Sequence, residues 1–384
     1  MSVASFPPAE GGGGAGGFYY NITAAGTYTV DLAAGLYDVR STSPITVGGV
    51  AVDGNAGLLN YPSGIANFVI PAVYGDWTSR TSGFGANAIY DVTYGDGLYV
   101  AVGDTGEMTT STDGTTWTSR TSGFGSTRII GVAYGDGLYV AGGRTGTLTT
   151  SPDGTTWTSR TSGFGTEHIN SVIYSDALYV AGGEDGIITT STDGTTWTSR
   201  TSQFGTASIF SLAYGEGVFV AVGGDFSGGW TPKLSTSPDG TTWTSRTSGF
   251  SSDAIYGVTY GDGLFIAVGT SGTLTTSPDG TTWTSRTSGF GSTQINAVGY
   301  GPGLYVAVGD SGTLTTSTDG TTWTSKTSGF GSSQIEGVTY GDDLFVAVGT
   351  GYDSAAYPLM TASGEIAVTA ALSLEPKSPL IELP

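Results

Sequence analysis

Ser151-Pro152-Asp153-Gly154-Thr155-Thr156-Trp157-Thr158-Ser159-Arg160-Thr161-Ser162 is one of six near-copies in this 384-residue chain. The other five centre on Trp117, Trp197, Trp243, Trp283 and Trp323, and Trp77 stands in the same register without the full preceding turn. Successive tryptophans are 40 residues apart, except for one gap of 46 between Trp197 and Trp243. A period in this range, running through most of a chain, marks a repeat architecture. It also bounds the chemistry. A residue present in every copy is most simply scaffold, so function is expected where the copies differ.

Residues 127–160 show what one copy contains. Ile129 to Tyr134 is a short apolar run closed by Gly135-Asp136-Gly137, and Leu138 to Ala141 is a second run closed by Gly142 to Gly146. Thr147 to Thr150 is a third, and Ser151-Pro152-Asp153-Gly154 turns into a fourth at Thr155 to Arg160. Short β-branched runs between Asp-Gly and Gly-rich turns, with no helical spacing, read as antiparallel strands. Four such strands in about forty residues make a β-propeller blade.

A second landmark gives the number of blades. A turn follows Tyr94, Tyr134, Tyr174, Tyr214, Tyr260, Tyr300 and Tyr340, while the register tryptophans run one step out of phase, from Trp77 to Trp323. Seven turns and seven tryptophans fit together if the Trp77 segment is the outermost strand of the blade that begins near Ile335. Such a closure leaves no unmatched first or last blade. The expected fold is all-β: a seven-bladed β-propeller of four-stranded blades closed by an N-terminal strand, with a small N-terminal β domain.

The six turns resemble the Asp boxes of sialidases and of many non-enzymatic propellers. The resemblance rests on Ser111 to Trp117, Ser151 to Trp157, Ser191 to Trp197, Ser237 to Trp243, Ser277 to Trp283 and Ser317 to Trp323, and covers residues 74–363. One residue between Asp and Gly is missing relative to the family pattern. The resemblance implies that the boxes lie on the blade periphery, far from the axial pocket. Asp113, Asp153, Asp193, Asp239, Asp279 and Asp319 are expected to hold their hairpins by accepting backbone N–H bonds. Trp117, Trp157, Trp197, Trp243, Trp283 and Trp323 are expected to bury their rings between adjacent sheets.

Each outer strand carries a basic residue three places after its tryptophan: Arg80, Arg120, Arg160, Arg200, Arg246, Arg286 and Lys326. Charge on an exposed edge strand blocks sheet-to-sheet pairing. The net charge of −20 comes from few lysines and many loop aspartates, since charged residues make up only 11% of the chain. Such a surface repels phosphate backbones and argues against nucleic acid as a partner. There is no cysteine, hence no disulfide or thiolate metal site. The first residues lack a secretory signal pattern, and no apolar stretch has membrane-spanning length. This style of chain suits a virion component made in a host cytoplasm without an export signal.

The two ends read differently from the repeats. Residues 1–17 end in a flexible glycine-rich stretch, and residues 18–73 contain short alternating runs that suggest a sandwich-like anchoring domain. Residues 364–384 combine an alternating strand with a Pro-rich arm. Ile366, Val368, Ala370, Leu372 and Leu374 share one strand face, which must be buried. That strand is expected to join the N-terminal domain, the rival being that it replaces the Trp77 segment in the last blade. The domain and the arm would hold other virion structural proteins or a second copy in a homo-oligomer.

Function is sought on the rim opposite the Asp boxes, which carries the loops between second and third strands and between blades. Arg128, Arg144, His168, Glu184 and Asp185 differ there from copy to copy, beside Glu167, Asp253, Gln294 and Gln334. The one insertion holds Phe226, Trp230 and Lys233, and a divergent loop holds Tyr352. Trp230, off the scaffold register, is either a sugar or protein contact or a cap on its own loop.

A sialidase-like arginine cluster cannot be assembled, because only Arg40, Arg128 and Arg144 remain outside the edge strands. The recurring acids are turn residues, and His168 is the only histidine. No catalytic residue, metal site or cofactor is expected. The favoured reading is a non-enzymatic virion propeller, in a phage tail, fibre or capsid decoration, attaching to a host-surface glycan. The alternatives are a carbohydrate-active hydrolase and a cellular platform for protein assembly.

Overall fold

The computed structural model describes residues 76–362 with their side chains, except 86, 226–230, 252 and 351–358. In 1–75 and 363–384 it describes only the backbone of the strands named here. The chain divides into two compact units, one of Asp76–Ala362 and one of Met1–Gly75 with Ser363–Pro384.

The larger unit is seven four-stranded antiparallel sheets. The second blade is representative, with strands Ile129–Gly135, Leu138–Gly143, Thr147–Ser151 and Thr158–Thr161. These are the four runs read from the sequence, except that the last strand starts after the tryptophan. The inner strands of successive blades lie side by side, the first, Ile89–Gly95, against the last, Gln334–Gly341. The seventh blade is composite: Gln334–Gly341, Leu344–Thr350 and Leu359–Ser363 are completed by Thr78–Arg80. Thr78, Ser79 and Arg80 pair antiparallel with Thr361, Met360 and Leu359. The chain is a seven-bladed β-propeller closed by its N-terminal strand.

Second strands are sandwiched between neighbouring blades, so Tyr99, Val100, Ala101 and Val102 are all buried in sequence. A strand covered on both faces needs a continuous apolar run instead of alternation. Val100, Val102 and Met108 of the first blade pack on Phe124, Ile129, Val132 and Tyr139 of the second. Blades also meet at glycine: a Cβ on Gly95 would lie 2.1 Å from the Tyr134 ring. At the first turn, Asp96 and Gly97 have φ of 46° and 75°, a two-residue turn that suits right-twisted strands.

In the smaller unit, Ala370–Lys377 lies between Phe18–Ile22 and Gly35–Ser41 in one sheet. This is the placement in which the C-terminal strand joins the N-terminal strands, while the Trp77 segment stays in the propeller. Among the described residues no helix is long and apolar enough to cross a membrane.

Candidate functional site

Each inner strand begins with a one-residue irregularity of register, between Ile89 and Asp91 and at the same place in every blade. A bulge leaves one residue unpaired and re-aims its side chain. That residue is Tyr90, Ile130, Asn170, Phe210, Tyr256, Asn296 and Glu336 in turn. All seven line one axial cavity of about 550 Å³. The preceding isoleucines are fully buried and constant, so variation starts at the residue the bulge presents and continues at the one after it.

Part of this variation satisfies backbone. Inner strands of neighbouring blades share no ladder, which leaves N–H and C=O groups needing partners. Asn170 Nδ2 donates to the Ile209 carbonyl at 2.9 Å, and Asn296 Nδ2 to that of Ile335 at 3.1 Å. One residue further on, Asp91 Oδ2 accepts from Val132 N at 2.9 Å, and Ser211 Oγ from Val258 N at 3.2 Å. The Tyr90 hydroxyl donates within its own blade, to Asp104 Oδ2 at 3.2 Å. Phe210 and Tyr256 instead form an aromatic pair, with centroids 5.4 Å apart and planes tilted 36°.

The mouth is electrostatically distinct from the rest of the propeller. Burial pushes the Asp91 carboxyl up to about 7, against the N–H groups of Val132 and Val92 that favour its charge. Burial, reinforced by the neighbouring charge of Asp310, pushes Glu336 up to about 7 as well. The Tyr90 and Tyr256 hydroxyls are pushed up to about 12, burial again being the main cause. Asp104 and Asp310 occupy equivalent positions at the starts of two turns, and each bonds a cavity-lining side chain, Asp104 that of Tyr90 and Asp310 that of Asn296.

The structure distributes the sequence-derived site residues unevenly. Arg128 reaches the mouth: its Nε lies 2.6 Å from Asp104 Oδ1, and its guanidinium is 4.4 Å over the Tyr90 ring. His168 Nδ1 is 3.0 Å from Glu184 Oε1, so those two form a pair on the third blade. Arg144 and Asp185 are exposed on turns, Asp185 with a left-handed φ of 52°. Lys233 lies on a third strand opposite Gly223, away from the axis. Phe226, Trp230 and Tyr352 lie outside the described residues. The loops therefore do not hold nearly all the variation, as the sequence reading had it. The bulge residues were missed, although aligning the copies on their constant isoleucines reveals them.

The Asp boxes behave as scaffold. Oδ1 of Asp113, Asp153, Asp193, Asp239, Asp279 and Asp319 accepts a backbone N–H two residues on, at 2.8 Å in every copy. The Thr116 N–H is the main reason the Asp113 carboxyl titrates well below the ordinary range. Each tryptophan donates Nε1–H to its own turn glycine, as Trp117 does to Gly114 O at 2.9 Å. Trp243 is buried, while Trp117, Trp157, Trp197, Trp283 and Trp323 are only partly covered. The outer basic residues lie across their own sheets, Arg120 Nε donating to Thr110 Oγ1 at 2.8 Å.

With this geometry the chain was compared with known proteins. The family described as the DUF6242 beta propeller domain matches residues 130–225. No curated protein matches the sequence. Among solved structures, YCF48 bound to D1 peptide is 17% identical with a TM-score of 0.61, covering 77% of this chain and 97% of its own. The WD40 propeller domain of Doa1 is 16% identical with a TM-score of 0.62, covering 77% and 98%. Virginiamycin B lyase from Staphylococcus aureus is 8% identical with a TM-score of 0.64, covering 75% and 99%. At these identities the likeness extends to the fold alone.

Proposed function

We propose that this chain is a non-enzymatic binding propeller that attaches a virion to a host-surface glycan through the axial mouth on its variable rim. The observation that carries the reading is the ring of bulge residues, which places three aromatic side chains, two amides and a carboxylate around one cavity. Aromatic faces stack on the apolar faces of sugar rings, while amides and carboxylates fix the hydroxyls. His168 is engaged by Glu184 and is not placed beside a serine nucleophile, which supports binding over acyl-transfer chemistry. No group of three metal-ligating side chains stands together among the described residues. The terminal unit, which joins both ends of the chain in one sheet, would hold the other virion proteins or further copies of the chain.

The test is a glycan array with the purified chain and its Tyr256→Ala and Trp230→Ala variants. Saturable binding lost in Tyr256→Ala and kept in Trp230→Ala supports the axial mouth. Loss in Trp230→Ala alone moves the site to the insertion. No glycan binding by the folded wild type sinks the reading. A protein-binding platform is the second reading, favoured by the likeness in fold to YCF48 bound to D1 peptide. A stable co-purifying protein that Tyr256→Ala releases would establish it.

A further inference from the structure

We infer that the ligand of the axial mouth is a glycan bearing a free amino group, its ammonium held between Asp310 and Glu336 beside the Tyr256 ring. The inference rests on the proposed function above and narrows its ligand. The repeats supply an internal comparison. Asp104, at the start of one rim turn, receives the guanidinium of Arg128 at 2.6 Å, and the same guanidinium covers the Tyr90 ring at 4.4 Å. A carboxylate and an aromatic ring are thus matched there by a cation from the chain itself.

Asp310 is the equivalent residue five blades on, and Gln334 stands where Arg128 stands. Gln334 Nε2 lies 3.0 Å from Asp310 Oδ1, and Asn296 Nδ2 lies 3.1 Å from the same oxygen. Both donors are neutral. Glu336, the bulge residue of the next blade, lines the cavity next to Asn296, the side chain that bonds Asp310. Burial and the Asp310 charge both oppose its ionisation, with Arg128 only a minor counterweight. Tyr256, Asn296 and Glu336 line the cavity from three successive blades, and Asn296 is the residue that holds Asp310.

An ammonium entering this corner supplies what Arg128 supplies across the mouth: charge-assisted hydrogen bonds to carboxylate and attraction to an aromatic face. An acetylated amine carries no charge and gains neither. Two partly buried carboxylates with only neutral donors within hydrogen-bond reach of Asp310 favour a cationic ligand over a neutral one.

The experiment is calorimetric titration of the whole chain with a glucosamine oligomer, the fully N-acetylated oligomer of equal length, and a lysine-rich peptide. Two variants accompany it, Gln334→Arg, which installs the cation the equivalent site already has, and Glu336→Gln. The expected result is at least tenfold tighter binding of the free-amine oligomer by wild type. Both variants should lose that preference with thermal melts near wild type, and Gln334→Arg should keep its affinity for the acetylated oligomer. Equal affinity for the two oligomers, or a preference that survives Gln334→Arg, overturns the inference while leaving glycan attachment standing. Binding of the peptide alone, or of no probe, overturns the inference and the glycan reading together.

Discussion

At the periphery of this propeller six carboxylates repeat one arrangement, while at the axis seven equivalent positions carry five different side chains. The peripheral aspartates accept backbone N–H bonds in open solvent, so their carboxyls titrate below the ordinary range. The axial acids Asp91 and Glu336 lose water to the closed ring of strands, and theirs titrate above it. Local hydrogen bonding favours the charged form in one place, and desolvation opposes it in the other. The same residue type thus holds one hairpin outside, as Asp113 does, and bridges two blades inside, as Asp91 does through Val92 N and Val132 N.

The largest expected effect tests whether constancy means scaffold. In Gly135→Ala the new methyl would lie 2.0 Å from the Tyr174 ring. Denaturant melts should show a loss of about 3 kcal/mol or more, or no folded protein, because blade separation has no slack. Gly137→Ala, with φ of 74° and open space around it, should cost about 1 kcal/mol from backbone strain alone. Equal costs would break the close-packing account.

The next effect separates the two classes of acid by pH. Asp91 in the folded state titrates near 7 instead of 3.8, so the folded chain binds more protons across that window. Its contribution to stability is full below about pH 4 and falls as pH rises through 7. The Asp-box contribution has the opposite sign, present above about pH 4 and lost below it. Melting at pH 5 and pH 8 should show roughly 1–3 kcal/mol less stability at pH 8 for each of Asp91 and Glu336, so Asp91→Ser should remove about half of that slope. Serine is the choice because Ser211 makes the equivalent bond to Val258 N. An unchanged slope in Asp91→Ser would remove the axial acid from the account.

Smaller effects sharpen the comparison. Tyr139 donates its hydroxyl to the Gly95 carbonyl of the preceding blade, whereas the equivalent Phe219, Phe265 and Phe345 have no hydroxyl. Tyr139→Phe should cost about 1 kcal/mol, read from the denaturation midpoint. Smallest of all, Ile130→Asn at a bulge position should change stability by no more than about 0.5 kcal/mol while altering ligand affinity. A large loss of stability there would mean that the bulge residues also belong to the scaffold.

Much of the fold was legible because its determinants are local and repeated. The Asp-Gly and Asp-box turns fix strand ends within a few residues, and the phase difference between Tyr94 and Trp77 implied the composite seventh blade. The site was less legible. Reading outward from the loops gave Arg128, which covers the cavity-lining Tyr90 ring, together with Arg144, Asp185 and Lys233, which do not line the cavity. Tyr90, Tyr256 and Glu336 looked like ordinary members of apolar runs. What distinguishes them is a one-residue bulge, and a bulge depends on the pairing of the second strand, which no local pattern reports.

The sequence alone therefore determined the number of blades, the closure of the ring and the constant outer hairpins, since each follows from short-range turn chemistry and a fixed period. Only the tertiary structure decided which variable residues converge. Residues about 40 apart in the chain become neighbours around one axis, and their burial, charges and partners exist only once the seven inner strands stand together. Asp310 and Asp104 are alike as sequence, yet one faces Arg128 and the other Gln334. The blade pairing is the same in both cases, and only the fold shows that the residue 24 places on is the partner that sets each carboxylate's surroundings.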